Sequence, residues 1–307
     1  MATAAATALA VVSLAAACAG DDLADDQDSD SADVPVTLAS QNFPEAALVT
    51  AMYSEVLDDA GYEVTTKLVG TRAVYMEQFP GEVDIVPEYI AGISDYLNTS
   101  VNGPDAEPIT TNDPAESIDA AASLLEAQGI TLLEPSAATS QNAYFVTTEY
   151  AESEGLTNLS DLEGTSVVLA AAPDCEGRDD CERGLSEVYG IEISKLLPLG
   201  FGSPETYKAV VDGEAQLGQT GTLDGTLESQ GLVLLNDDRG IQPAQNLVPA
   251  VSTEFLEANP EVQDLLESLM AELDNETLAG LIAQVSVDRA KPEDVAEDFL
   301  ESAGLIS

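Results

Sequence analysis

The sequence has no histidine and no tryptophan, and only 9 lysines and arginines among 307 residues, against 57 aspartates and glutamates. Without histidine there is no Ser-His-Asp triad, no imidazole metal ligand and no imidazole general base. The formal net charge of −48 excludes nucleic acid as a partner, because phosphate binding needs basic patches. An anionic membrane surface would repel the chain as well. Carboxylate catalysis is open in principle, but among 57 acids no pair stands apart. So large an acid excess reads as a solvated surface suited to high salt, where screening weakens self-repulsion. What is present suits a globular protein: 45% of residues are hydrophobic, and the length allows one large core or two modest ones.

Cysteine is scarce too, with three in all. The first lies behind a small, apolar stretch, residues 1–17, too short to span a membrane and matched to the core of a signal peptide. The segment Leu14-Ala-Ala-Ala-Cys18 resembles a bacterial lipobox, although its leucine stands four rather than three positions before the cysteine and no lysine or arginine precedes Lys67. The reading is a signal peptide over 1–17, lipidation at Cys18, and an anchored acidic tether over 18–33, whose seven aspartates between Asp21 and Asp33 self-repel and keep it extended. The alternative is an ordinary signal peptide with an incidental cysteine. Cys175 and Cys181, six apart in an exported chain, are expected to close a small disulfide loop, with two free thiols as the alternative. With no third sulfur beside them and no histidine, no zinc site is expected.

A phrase is written twice. Residues 70–85, GTRAVYMEQFPGEVDI, and residues 202–217, GSPETYKAVVDGEAQL, share Gly, Tyr and Gly-Glu at a constant offset of 132. Around the first copy the pattern predicts strand, helix, strand, helix, strand from VPVTLAS to EVDIVPEY, the order of a parallel sheet. Around the second, TSVVLAAAPD, CERGLSEVYG, IEISKLLPLG, SPETYKAVVDG and EAQLGQTG repeat that order. The segment between holds a helix, a strand and an extended run near Tyr144. After Gly221 come two extended runs, LVLLNDD and NLVPAVS, and two acidic amphipathic helices. This predicts two α/β lobes: 34–138 and 222–307 form lobe I, and 139–221 form lobe II. The chain crosses twice at a hinge, and a cleft lies between the lobes, where ligands favour the C-terminal ends of strands.

Several stretches resemble the osmoprotectant-binding proteins, the extracytoplasmic solute receptors of ABC importers for glycine betaine, choline and carnitine. VPEYIAG is similar to their PEYTGT, and ASQNFPEAALVTAMYSEVLDDAGYEV to their opening strand and helix. PDCEGRDDCERGLSEVYGIEI is similar to their Arg-Xaa-Asp turn and Gly-Leu helix, and residues 246–305 to their closing helices. The resemblance runs in order over 34–305. It implies a two-lobed type II periplasmic-binding-protein fold, each lobe a mainly parallel sheet flanked by helices. It also implies a small osmolyte as ligand, a permease as partner, a monomer held to the membrane only by its lipid, and no cofactor, metal or catalysis.

A quaternary ammonium donates no hydrogen bond and is held by aromatic faces, at about 0.5–2 kcal/mol per contact, while a carboxylate wants arginine or backbone N–H. The resemblance carries Tyr89, Tyr144 and Tyr207 over as cage tyrosines and Arg178 as the carboxylate ligand, with Gln41 and Asn42 on the lobe I rim. Gly92 and Asp224 sit in matching loops and read as structural. Tyr89 plus 132 is Gly221, where many relatives carry an aromatic. One cage wall is missing, which implies a looser pocket, a bulkier ligand, or an aromatic supplied from elsewhere, with Tyr75 and then Phe43 as the stand-ins. Arg72 is a second carboxylate candidate. For Tyr75 and Tyr207, packing on an amphipathic helix is an equal alternative. For Arg178 it is a salt bridge to Asp174, Glu176 or Asp179. The functional rivals are a receptor for an amino acid or polyamine, a ligand-sensing lipoprotein, and a carboxylate-using hydrolase.

Overall fold

The computed structural model describes residues 34–307 apart from residue 105. The signal-peptide, tether and Cys18 readings lie outside the described residues.

The chain opens with β1 (Val34–Gln41), α1 (Pro44–Asp59), β2 (Tyr62–Val69), α2 (Arg72–Met76), β3 (Ile85–Tyr89) and α3 (Ile90–Asn102). Pro44 pre-sets the first turn of α1, and Gly61, with φ +92°, turns the chain back after it. Between them, Leu48, Val49, Met52, Tyr53 and Val56 put an apolar face at helical spacing, and all are buried against the C-terminal helices and the sheet. Burial of each large apolar side chain is worth about 1.5–3 kcal/mol. Next come α4 (Pro114–Gln128), capped by the Asp113 carboxylate on the Glu116 N–H, and β4 (Ile130–Leu132).

The second lobe contains β5 (Asn142–Thr147), α5 (Thr148–Glu154), β6 (Ser166–Ala171), α6 (Glu182–Glu187), β7 (Glu192–Pro198), α7 (Pro204–Val211), β8 (Leu217–Gly221) and β9 (Leu232–Leu235). Then β10 (Leu247–Ser252), α8 (Thr253–Ala258), α9 (Glu261–Ala271), α10 (Asn275–Ser286) and α11 (Pro292–Ala303) close the chain. Two helices are expected in that last stretch and four are found. Pro260 stops continuation from α8, Asp274 caps the start of α10, and Pro292 opens α11, so the acidic run is cut into separate rods.

The strands form two five-stranded sheets with matching orders, β2-β1-β3-β10-β4 and β7-β6-β8-β5-β9. In each, the first three strands run parallel and the fourth is antiparallel to both neighbours. The repeated phrase fills the same place in both: α2 and β3 in one lobe, α7 and β8 in the other. One boundary moves. β9 pairs with β5 from Tyr144↔Leu235 to Thr147↔Leu232, so the chain is still in lobe II after residue 222 and returns only between β9 and β10. The two crossing segments lie side by side: Thr139 bridges Asn246, Ser140 N–H donates to Gln245 C=O at 3.0 Å, and Leu247 N–H to Ala138 C=O at 3.0 Å.

Candidate ligand-binding cleft

A cleft of about 540 Å3 is lined by residues of both sheets' loops and of both crossing segments. The lobe I side supplies Glu45, in the first turn of α1, where a helix start favours negative charge. The crossings supply Ser140, Gln141, Pro243 and Gln245. Lobe II supplies Arg178 and Asp180 from the loop before α6, Phe201 from the loop after β7, and Tyr207, Gly221 and Asp224 from α7 and the end of β8.

Arg178 is already engaged. Its Nε and Nη2 donate to the two oxygens of Asp180 at 2.8 and 2.5 Å, and Nη1 donates to Asp174 at 3.0 Å. The expected salt-bridge alternative is thus realised, with Asp180 rather than Glu176 or Asp179 joining Asp174. Asp180 is itself pinned. Asn142 Nδ2 donates to its carboxylate at 2.8 Å, while the Tyr144 hydroxyl and Gln242 Nε2 both donate to its backbone carbonyl at 2.8 Å. The loop is closed at its base by the disulfide between Cys175 and Cys181, both fully buried.

Asp224 has no basic partner among the described residues. Burial alone would raise its carboxyl, but hydrogen bonds from Thr226, Tyr207 and Thr220 outweigh that and hold it below the ordinary value. Tyr207 donates at 2.5 Å and Thr220 at 2.7 Å. Burial and then this bond push the Tyr207 hydroxyl up to about 12, so it stays a donor. Glu45 is the opposite case. Desolvation raises its carboxyl, and the hydrogen bonds from Tyr89 and Ser140 only partly offset this.

Of the residues named from sequence, Arg178 and Tyr207 line the cleft. Tyr89 stands one layer back, its hydroxyl donating to Glu45. Tyr144 is 1% exposed and serves as a buttress of the Asp180 loop, because its position in β5 turns the ring into the lobe II core. Gln41, Asn42 and Phe43 lie outside the lining, at the end of β1 and the start of α1; Asn42 N–H donates to Val69 C=O at 2.8 Å. Tyr75, the expected stand-in for the missing wall, is 2% exposed and donates to Glu88. Arg72 clamps the same Glu88 at 2.7 and 2.9 Å, so it offers no free fork to a carboxylate.

The side chains the sequence reading passed over are Phe201, Glu45, Asp180 and the amides of Gln141, Asn142, Gln242 and Gln245. Asp224, read as structural, also reaches the cleft. Phe201 carried a signal: an aromatic between two glycines at the C-terminal end of a predicted strand.

The chain matches, over residues 34–302, the family described as the substrate-binding domain of ABC-type glycine betaine transport systems. The chain belongs to that family. It is a substrate-binding protein of ABC transport and not an enzyme. It is 29% identical over 287 residues to the glycine-betaine-binding protein of Pseudomonas aeruginosa, covering 88% of each chain. It is 28% identical to the glycine betaine-binding protein YehZ of Escherichia coli, covering 88% of this chain and 91% of that one. Apo YehZ superposes on it with a TM-score of 0.77 and 27% identity over 88% of this chain and 99% of the other. The two-lobed type II fold is common to this family.

Proposed function

We propose that this chain captures a quaternary-ammonium osmoprotectant of the glycine betaine, choline or carnitine type in the cleft between its lobes and delivers it to the permease of an importer. It acts outside the cytoplasm, held to the membrane by a lipid on Cys18. The observation that carries this reading is the character of the cleft. Two aromatic side chains, Phe201 and Tyr207, stand beside three carboxylates, Glu45, Asp180 and Asp224, and the one arginine is held by aspartates. A cation that cannot donate hydrogen bonds suits π faces and fixed carboxylates. The names of the Pseudomonas and Escherichia relatives point to the same ligand class. Ligand contacts to both sides would favour a closed form by population shift.

A second reading, a receptor for a polyamine or amino acid, is favoured by the amides of Gln141, Asn142, Gln242 and Gln245, which can pair with N–H and carboxylate groups. Isothermal titration calorimetry on the purified protein, at low and high salt, separates the two. The panel is glycine betaine, choline, carnitine, proline betaine, glutamate and putrescine. Micromolar binding of a quaternary amine, about −8.2 kcal/mol, supports the proposal; binding of putrescine or glutamate alone transfers it to the second reading.

A further inference from the structure

The position of the missing aromatic, 221, has a ring beside it from the loop after β7 in the same lobe. Gly221 lies in β8 without a left-handed φ, so its backbone does not demand glycine. A Cβ there would meet the Phe201 ring tip at 3.5 Å, ordinary contact distance, so a side chain at 221 would stand against that ring. The Phe201 ring thus borders the position where the aromatic is missing.

The mount of that ring is specific. Phe201 sits between Gly200, with φ +120°, and Gly202, with φ +50°. A Cβ on Gly202 would press on the Tyr207 hydroxyl at 3.1 Å and on Thr220 Oγ1 at 3.2 Å. Only glycine lets the loop lie this close to the Tyr207–Asp224 pair. The backbone is tied on both sides: Gly200 N–H donates to Ala171 C=O at 3.0 Å, Gly202 N–H to Gln219 C=O at 3.1 Å, and Thr206 Oγ1 to Gly200 C=O at 2.7 Å. The backbone is fixed, yet the side chain it carries is 50% exposed in the cleft. Tyr75 cannot take this role from within the lobe I core, nor can Phe43 from outside the lining.

We infer that Phe201 is the aromatic wall of lobe II, replacing the ring that Gly221 lacks, and that it determines affinity for the cationic head of the ligand. This rests on the quaternary-ammonium reading above. Supplied from a loop rather than from β8, the ring lines the lobe II side of the cleft together with the Asp224 carboxylate, so cation–π attraction and charge act on one head group.

The test is calorimetry with choline and its uncharged isostere 3,3-dimethylbutan-1-ol, on wild type, Phe201→Ala, Phe201→Leu, Gly221→Tyr and the double variant Phe201→Ala/Gly221→Tyr, with thermal unfolding as the folding control. Phe201→Ala is expected to weaken choline roughly 2- to 30-fold. Phe201→Leu keeps the apolar volume and still loses choline, while the isostere binds the Leu and Phe forms alike. Gly221→Tyr alone weakens choline by crowding Phe201, and the double variant recovers affinity relative to Phe201→Ala. Unchanged choline affinity in folded Phe201→Ala and Phe201→Leu overturns the inference and leaves the quaternary-ammonium reading standing. A wild-type protein that binds no quaternary amine overturns that reading and this inference with it.

Discussion

The two lobes share one plan, and the positions where they differ separate the structural network from the binding one. At the constant offset of 132, Tyr75 matches Tyr207, and β3 matches β8 residue for residue. In lobe I the tyrosine hydroxyl meets Glu88; in lobe II the same hydroxyl lies 3.1 Å from Thr220, the residue matching Glu88. Lobe I then neutralises its buried carboxylate with Arg72, and Gly92 leaves room for that guanidinium, since a Cβ there would come within 2.4 Å of Nη2. In lobe II the matching residues are Pro204 and Asp224. The arginine is gone, and a carboxylate stands where lobe I has glycine. The same framework is therefore closed on itself in one lobe and left with an unmatched negative charge at the cleft in the other. The first state is what a core requires; the second is what the proposed capture of a cation would use.

The comparison breaks most visibly at Arg72. Glu88 is 1% exposed, and Arg72→Ala leaves its charge buried with no cation. The expected loss is about 3–5 kcal/mol of stability, read by urea unfolding, with a double Arg72→Ala/Glu88→Gln variant recovering most of it. A loss below about 1 kcal/mol would mean that the pair behaves as a surface contact and that lobe I is not closed in this sense.

The second test sets the two cleft carboxylates against each other. Asp224→Asn is expected to weaken a quaternary ammonium at least about tenfold, because the charge acts at close range in a partly desolvated site. The pH dependences have opposite signs. Asp224 titrates below its ordinary value, so its stabilising contribution is present above about pH 4 and is lost as pH falls through its folded value. Glu45 titrates above its ordinary value, so the native state takes up its proton first, and stability from that site is lost as pH rises through the folded value. Glu45→Gln should therefore be more stable than wild type at pH 7, the gap closing on acidification. Asp224→Asn should be less stable at pH 7, the gap closing only below about pH 4. Gaps of the same sign in chemical denaturation across pH 3–8 would remove the contrast.

The layout of the lobes was legible because periodicity and the doubled phrase report backbone, which the two sheets repeat. The return crossing was misplaced because β9 is a short run, Leu232–Leu235, that either sheet could accept; only its pairing with β5 decides. The site was harder to read for a related reason. Strand residues alternate between faces, so a tyrosine near a strand end gives no sign whether it meets ligand or core. Tyr144 went to the core and Tyr89 stopped one layer short of the lining. Phe201 is fixed by its two flanking glycines, by a hydrogen bond from the nearby Thr206 hydroxyl and by two bonds to the distant backbone of Ala171 and Gln219; the glycines can be read in the sequence, but those two distant partners cannot. Arg178 lines the cleft, and the acid it pairs with is set by Asn142, Gln242 and Tyr144 converging on Asp180 from a separate strand and crossing.

The smallest expected effect is also the most direct comparison, because it makes one chemical change at the two matched positions. Tyr75→Phe removes a donor from Glu88, a charge only 1% exposed that keeps Arg72 and the Tyr89 N–H, and should cost about 1.5–3 kcal/mol of stability because the lost bond is to a fully buried charge. It should leave ligand affinity unchanged, since neither group lines the cleft. Tyr207→Phe removes a donor from Asp224, which keeps Thr220 and Thr226, so its stability cost should be about 1 kcal/mol or less. Its affinity for a quaternary ammonium should nonetheless shift by a few-fold, because the lost hydrogen bond helps to hold the Asp224 carboxylate ionised and aimed at the cleft. Unfolding and calorimetry on the two variants should thus give crossed results: stability without affinity in lobe I, affinity with little stability in lobe II. If both variants lost stability alone, the unmatched carboxylate of lobe II would be another structural network, and the division of labour between the lobes would have to be sought at Glu45 and Phe201 instead.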